Sequence, residues 1–108
     1  MDKPVVVVDT NIVVSSIFWE GNPYKIIQAG INQEIIMFTS PKMIEELKTV
    51  LKRDFHLEEQ EITDIVDAFL LFSHITQPFE KVNAVKEDEK DNMVLECAVS
   101  CNANYIIS

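Results

Sequence analysis

Three acidic residues far apart in the sequence stand where a metal site could be built. Asp9 directly follows a run of four valines, Glu46 lies in a helical stretch, and Asp91 begins another one. A carboxylate at the end of a buried strand is costly unless a helix N-terminus, a base or a metal ion stands against it. Neighbouring carboxylates raise each other's pKa, and a divalent cation removes that conflict. These residues therefore suit Mg²⁺ or Mn²⁺, which bind oxygen ligands and promote phosphate-ester hydrolysis.

The periodicity of one predicted helix separates two adjacent glutamates. At about 100° per residue its apolar side chains form a single arc, made of Met43, Ile44, Leu47, Val50 and Leu51. Glu46 lies about 100° from the centre of that arc and Glu45 about 160° from it. We therefore expect Glu45 to face solvent and Glu46 to border a crevice beside the sheet. A solvated side chain is the alternative for any helical glutamate.

In the last predicted helix an acid occupies the apolar face, which comprises Val94, Leu95, Ala98 and Cys101. Asp91 projects within about 30° of the centre of this face, whereas Glu96 lies about 170° away and is expected to be solvated. The alternative role for Asp91 is to cap the N-terminus of this helix. We expect Asp88, in the preceding loop, to support the site formed by the acids. Cys97 and Cys101 lack zinc-site spacing, so we expect buried free thiols.

The elements that must position these residues alternate along the chain. We predict strands at residues 5–8, 34–39, 75–76 and 105–107, helices at residues 12–18, 23–31, 41–55, 59–73 and 91–101, and a charged loop at residues 80–90. This order is typical of an α/β fold with a mainly parallel sheet. Such a sheet binds ligands at the carboxyl ends of its strands, which directs attention to Asp9. Capping of the following helix is the alternative role of Asp9.

Size and charge narrow the range of functions. A chain of 108 residues is expected to form one domain. Its 18 acidic and 9 basic residues give a net charge of -9, which disfavours binding to nucleic acid through charge alone. The sequence shows neither a signal peptide nor an apolar run long enough to span a membrane, so we expect a cytoplasmic protein without membrane contact.

Taken together and in order, four segments resemble the PIN domain: Val5 to Asn11 with Ser15, Ser40 to Leu51, Asp88 to Ala98, and Asn104 to Ser108. The resemblance is to the toxin components of toxin-antitoxin systems, the VapC-like ribonucleases. It implies a three-layer α/β/α fold with a mainly parallel central sheet, built as a single PIN-like domain over residues 1–108. It also implies hydrolysis of RNA by metal-activated water, with Mg²⁺ or Mn²⁺ as the cofactor.

The resemblance carries site residues onto this chain. The first acid of the family falls on Asp9, its helical glutamate on Glu46 and its third acid on Asp91, all three as catalytic and metal-binding residues. Asn11 and Ser40 match positions that support the first acid or the waters of the metal. The partners implied are an RNA substrate, an antitoxin protein and a second copy of the chain in a homodimer.

The C-terminal end departs from the family pattern. Relatives continue after the last strand into a Thr-x-Asp or Ser-x-Asp motif that supplies a fourth acid, whereas this chain stops at Ser108. We expect either a truncated chain or one that lacks this ligand and the elements closing the fold. The alternative function is a catalytically incomplete PIN-like module that pairs with an antitoxin or with itself. A phosphatase using Asp9 is disfavoured, because haloacid-dehalogenase-like enzymes need a second Asp where Asn11 stands.

Contact with RNA is expected from local features, because the overall charge opposes it. A small basic group lies on or just after the helix that carries Glu46, made of Lys42, Lys48, Lys52 and Arg53. Phe18 and Trp19 follow Asp9 and are suited to stacking on unpaired bases. We take Lys42, Lys48 and Trp19 as candidate substrate-binding residues. The alternative is that the lysines are solvated and the aromatic side chains cover the core or an antitoxin groove.

Overall fold

In the computed structural model of the chain, the described residues are 2–78 and 89–108, without the side chains of residues 89–91. Five helices alternate with four strands along these residues. In chain order the elements are β1 (Val5–Val8), α1 (Thr10–Phe18), α2 (Asn22–Ile31), β2 (Ile36–Thr39), α3 (Pro41–Phe55), α4 (Glu59–Leu70), β3 (Ser73–Ile75), α5 (Glu89–Cys101) and β4 (Tyr105–Ile107). Within this part of the chain, no helix has the length and apolar character needed to cross a membrane.

Several boundaries differ from those predicted, each for a local reason. Strand β2 begins later, because the N–H of Glu34 still donates to the carbonyl of Ala29 in the turn that ends α2. Helix α4 ends earlier because Ser73 pairs with Met37 and so belongs to β3. Helix α5 begins at Glu89, so the last two residues of the predicted charged loop are helical. The part of that loop at residues 79–88 lies outside the described residues.

The four strands form one parallel sheet in the order β3-β2-β1-β4. From the central strand β1 the chain moves outward to β2 and β3, and it then returns to the opposite side of β1 to add β4. This change of direction creates a topological switch point between β1 and β4, where parallel α/β sheets bind ligands. The predicted α/β class with a parallel sheet is confirmed.

Helices cover both faces of the sheet, which explains the unbroken run of valines in β1. Val6 and Val8 belong to the larger core, together with buried residues of α1, α2, α3 and α4. Val7, which alternates with them, belongs to a smaller core with Met43 and Cys97. Since successive residues of a strand point to opposite faces, both faces require apolar side chains. The smaller core is provided mainly by α5.

Helix α3 connects the two cores and borders the switch point. Ser40 is its N-cap and Pro41 stands in the first turn, where a missing N–H has no cost. The helix ends at His56, whose left-handed φ of 56° makes the C-cap. The predicted apolar arc is confirmed, since all of its members are buried: Met43, Ile44, Leu47, Val50 and Leu51. One edge of this helix is therefore held against the strand ends.

The predicted orientation of α5 is wrong for Glu96. This residue is only 8% exposed, and its carboxylate lies 4.0 Å from the Nζ of Lys42 in α3. Cys97 lies about 90° from the centre of the predicted arc, yet it is fully buried, whereas Leu95 within that arc is only half-buried. The buried face of α5 is therefore rotated towards Cys97. The adjacent α3 covers the flank where Glu96 lies, so an acid far from the apolar arc is nevertheless buried.

Candidate functional site

A cleft of about 320 Å³ opens at the carboxyl end of β1. The residue that follows β1, the first turn of α1, one side of α3 and the N-terminal half of α5 all contribute to it. The described residues that line this cleft are Asp9, Thr10, Asn11, Met43, Glu46, Val50, Arg53, Asp54, Met93 and Val94. Two of the three predicted acids, Asp9 and Glu46, thus share one cavity, although they come from different elements.

Asp9 is fixed by its neighbours on three sides. Its Oδ1 accepts a hydrogen bond from the N–H of Asn11 at 3.1 Å, so it is the N-cap of α1. Its own N–H donates to the carbonyl of Ile107 in β4 at 2.9 Å, and its carbonyl accepts from the N–H of Ile12 at 3.0 Å. The capping role and a place in the cleft therefore coexist. The positive end of α1 also stabilises the negative charge of Asp9.

Glu46 and Glu45 lie in different environments despite being adjacent. Glu46 is half-buried, lines the cleft and has a buried Oε1. The side chain of Glu45 is 71% exposed, and its Oε1 lies 3.4 Å from the Nζ of Lys48. The border position expected of Glu46 and the solvent-facing position expected of Glu45 are both observed.

The third predicted acid is not fully described. Asp91 lies in the first turn of α5, but its side chain is outside the described part of the structure. Met93 and Val94 of the same helix line the cleft, so α5 forms one of its walls. Asp88 lies outside the described residues altogether. The roles of Asp91 and Asp88 therefore stay predictions.

The two predicted supporting residues take different positions. Asn11 is exposed and lines the cleft. Ser40 is only 2% exposed, and its Oγ accepts a hydrogen bond from the N–H of Met43 at 3.3 Å. Ser40 is not among the described residues that line the cleft. It therefore acts as the cap that fixes the start of α3.

The three lysines of α3 are paired away from the cleft. Besides the pairs of Lys42 and Lys48 already described, the Nζ of Lys52 lies 3.0 Å from the Oε1 of Glu59 in α4. None of the three is among the described lining residues. Their contact with RNA therefore stays a prediction.

The aromatic side chains cover the end of α3. Phe18 stacks on Phe55 with ring centroids 4.3 Å apart, and Trp19 meets both rings edge-to-face. Trp19 is nevertheless 59% exposed. This arrangement agrees with the alternative in which the aromatic side chains cover the core. Trp19 is not among the described residues that line the cleft.

Two further residues of the cleft form a charged pair: Arg53, which sequence reasoning placed in the basic group of α3 but not in the cleft, and Asp54, which it missed. The guanidinium of Arg53 donates from Nε to Oδ1 of Asp54 at 2.8 Å and from Nη2 to Oδ2 at 3.0 Å. These hydrogen bonds and the charge of Asp54 raise the pKa of Arg53, and the charge of Glu46 raises it further. The signal was available, because Arg53 and Asp54 follow Glu46 at i+7 and i+8 and hence lie on the same side of a helix.

The donor chemistry of the cleft fits a hard divalent cation as far as it is described. Asp9 and Glu46 offer carboxylate oxygens, which Mg²⁺ and Mn²⁺ prefer. Among the described side chains there is no group of three or more His, Cys, Asp or Glu residues placed to hold a metal ion. Asp91 was the third ligand expected, and its side chain is outside that set.

The two cysteines are free and do not contribute a soft metal site. Cys97 is fully buried. Burial raises the pKa of its thiol to about 12, and the neighbouring Cys101 makes a smaller contribution in the same direction. Cys101 is half-buried, and burial also raises its pKa. Among the described side chains, no further His, Cys, Asp or Glu residues join the two thiols in a group that could hold a metal ion.

Comparison with protein families matches residues 5–108 to the PIN domain. No curated protein matches the chain. PIN domains are generally nucleases, and PIN-domain nucleases usually use divalent metal ions. The matched region contains all four strands and every described residue of the cleft. The chain therefore belongs to the PIN domain family.

Proposed function

We propose that the protein is a divalent-metal-dependent ribonuclease that hydrolyses phosphodiester bonds of RNA. The observation that carries the proposal is the meeting of Asp9 and Glu46 in one cleft at the switch point of the sheet. A bound Mg²⁺ or Mn²⁺ ion supplies Lewis-acid chemistry for the hydrolysis of phosphate esters. The third acid proposed for the site is Asp91, in the first turn of α5, a helix that also lines the cleft.

The protein's own residues hold and orient the reacting groups. The hydrogen bonds of Asp9 to α1 and β4 fix its carboxylate at the strand end. Packing of α3 against both cores fixes the backbone of Glu46. Preorganised carboxylates of this kind do not have to be rearranged during the reaction. The apolar side chains of Met43, Val50 and Val94 limit the water around them.

The proposal is tested with an end-labelled, mixed-sequence single-stranded RNA. Purified protein is incubated with Mn²⁺, with Mg²⁺ and with EDTA, alongside an Asp9→Asn variant prepared in the same way. We expect cleavage with metal, none with EDTA and none by the variant. Cleavage that survives in EDTA, or that Asp9→Asn retains at the wild-type rate, contradicts the proposed site.

We further propose that this nuclease is a VapC-like toxin that acts in the cytoplasm, forms a homodimer and is inhibited by an antitoxin protein. The support is the resemblance of the ordered motifs to such toxins. Light scattering should give a dimer mass, and induced expression should arrest growth in wild type but not in Asp9→Asn. A monomer that leaves growth unchanged contradicts this finer assignment without affecting the nuclease assay.

A second candidate is a PIN-like binding module without catalytic activity. It is favoured by the net charge of -9, which disfavours binding to nucleic acid through charge alone. This module would bind an antitoxin or a second copy of the chain, and it would cleave no RNA with either metal. The nuclease assay separates the two candidates directly.

A further inference from the structure

Arg53 differs from the other basic residues of α3 in where it lies. The three lysines of this helix make their ion pairs outside the cleft, whereas Arg53 lines it. Arg53 is the one basic residue among the described lining residues, which also include the acids Asp9, Glu46 and Asp54. A chain with a net charge of -9 cannot attract a polyanion by overall charge. A cation within the cleft is therefore of particular value to an anionic substrate.

The chemistry of Arg53 suits a phosphate. A guanidinium presents five N–H donors in a planar fork that matches the oxygens of carboxylates and phosphates. Two of these donors bind the carboxylate of Asp54, an anion of similar geometry. The side chain is 55% exposed and so is accessible from solvent. A phosphate entering the cleft meets a guanidinium that is already held in position.

The position of Arg53 along α3 determines which phosphate it can reach. Arg53 follows Glu46 by seven residues, which is about 10 Å along the helix axis at 1.5 Å per residue. The two residues are thus two turns apart on one side of α3, a spacing that suits two different phosphates better than one. The phosphate at Arg53 is therefore a neighbour of the one that lies at the acids.

We propose that Arg53 binds a backbone phosphate flanking the scissile bond, and that Asp54 both holds the guanidinium in place and competes with that phosphate for it. The proposal rests on the proposed nuclease function, because it assumes an RNA strand in the cleft. It assigns to the cleft a phosphate subsite separate from the acids. The phosphate binds at the three N–H donors of the guanidinium that do not contact Asp54, the negative charge of Asp54 opposes its approach, and no covalent bond changes.

The test measures RNA binding in EDTA, where metal-dependent cleavage does not interfere. Fluorescence anisotropy follows a labelled single-stranded RNA titrated with wild type, Arg53→Gln, Asp54→Asn and Lys52→Gln at several salt concentrations. Lys52→Gln is the matched control, because it removes the same charge from the adjacent position of α3 while Lys52 is paired with Glu59. Circular dichroism establishes that each variant is folded.

We expect Arg53→Gln to bind RNA about tenfold more weakly, as loss of a charge-assisted hydrogen bond would produce. The plot of the logarithm of the association constant against the logarithm of the salt concentration should also become less steep by about 0.7, the value for one phosphate contact on a single strand. Asp54→Asn should bind several-fold more tightly, because the competing charge is gone. Lys52→Gln should retain the wild-type slope.

Equal losses of affinity in Arg53→Gln and Lys52→Gln would overturn the subsite, because the effect would then be one of overall charge. Weaker binding by Asp54→Asn would overturn the competition. If wild type cleaves RNA but Arg53→Gln binds like wild type, only this inference fails. If wild type shows Arg53-dependent binding but no metal-dependent cleavage, a phosphate site at Arg53 stands, whereas its place beside a scissile bond fails together with the nuclease. If wild type neither binds nor cleaves RNA, both are wrong.

Discussion

The two sides of α3 carry the same types of charged residue in different surroundings. On the solvent side, Glu45 pairs with Lys48 one turn away, and Lys52 pairs with Glu59 at the start of the next helix. On the cleft side, Glu46 shares a cavity with Asp9, which follows the central strand. The ion pairs on the solvent side are exposed to water and join residues that are close in the sequence. The cleft instead brings together partly buried charges from segments that are far apart in the sequence. The difference shows that tertiary convergence, rather than residue type, marks the candidate site.

The largest effect that distinguishes the two sides concerns cleavage. Glu46→Gln should lower metal-dependent RNA cleavage by more than about a hundredfold, because removal of a ligand should exceed the cost of altering outer-shell groups. Glu45→Gln, its matched control one position away, should leave the rate within about twofold of wild type, since solvent already screens that carboxylate. Initial rates on one RNA with saturating Mn²⁺ provide the measurement. Equal rates for the two variants would remove the functional distinction between the sides of α3.

Metal binding should raise the melting temperature of the wild-type protein and not that of Asp9→Asn. A cation that binds only the folded state at ten times its Kd stabilises it by about 1.4 kcal/mol. For a domain of this size that is about 6 °C. Differential scanning fluorimetry with Mn²⁺, and with EDTA as reference, measures the shift. Glu45→Gln should retain the full shift, and a shift of the same size in Asp9→Asn would place the metal elsewhere.

The capping role of Asp9 can be separated from its role in the cleft by stability alone. Asp9→Ala should lower the free energy of unfolding by about 1 kcal/mol, because the N–H of Asn11 loses its acceptor. Asp9→Asn keeps an acceptor of the same shape and removes a charge facing Glu46, so we expect no loss of stability without metal. Urea unfolding in EDTA compares the two. A similar loss of stability in both variants would show that the charge of Asp9 stabilises α1 by more than its repulsion from the carboxylate of Glu46 costs.

The smallest effect belongs to the solvent side of α3. Lys48→Gln breaks the pair with Glu45, whose side chain is 71% exposed. Exposed pairs of this kind contribute little, so we expect the free energy of unfolding to change by less than about 0.5 kcal/mol. Urea unfolding at low and high salt is the check. A change above about 1 kcal/mol would mean that the solvent-side pairs are structural.

Local patterns in the sequence predict much of this fold. The valines of β1 predict a strand buried on both faces, and Ser40 followed by Pro41 predicts the start of α3. The helical period also places Glu45 and Glu46 correctly, because α3 has one dominant apolar arc. Each of these features depends on residues that are close together in the chain.

Features that depend on packing between elements could not be predicted in this way. Glu96 is buried because α3 covers one flank of α5, which the apolar residues of α5 alone do not indicate. The helical period places Arg53 and Asp54 on the same side of α3 as Glu46, but how far the cleft extends along that side depends on the packing of α3 against other elements. The pairing of β1 with β4 is also a tertiary outcome, since β2 is the nearer strand in sequence.

The pairing of β1 with β4 has a consequence for the order of folding. The N–H of Val5 donates to Oδ1 of Asn104, a contact across 99 residues, whereas β1 already pairs with β2 at Ile36. Closing a flexible loop of 99 residues from the unfolded chain costs about 4 kcal/mol more than the length-independent part. Contacts of such separation form slowly, so β4 should dock after β1 and β2 have paired. Of the three contacts that hold Asp9, the hydrogen bond from its N–H to Ile107 should therefore form last, after the local contacts with α1.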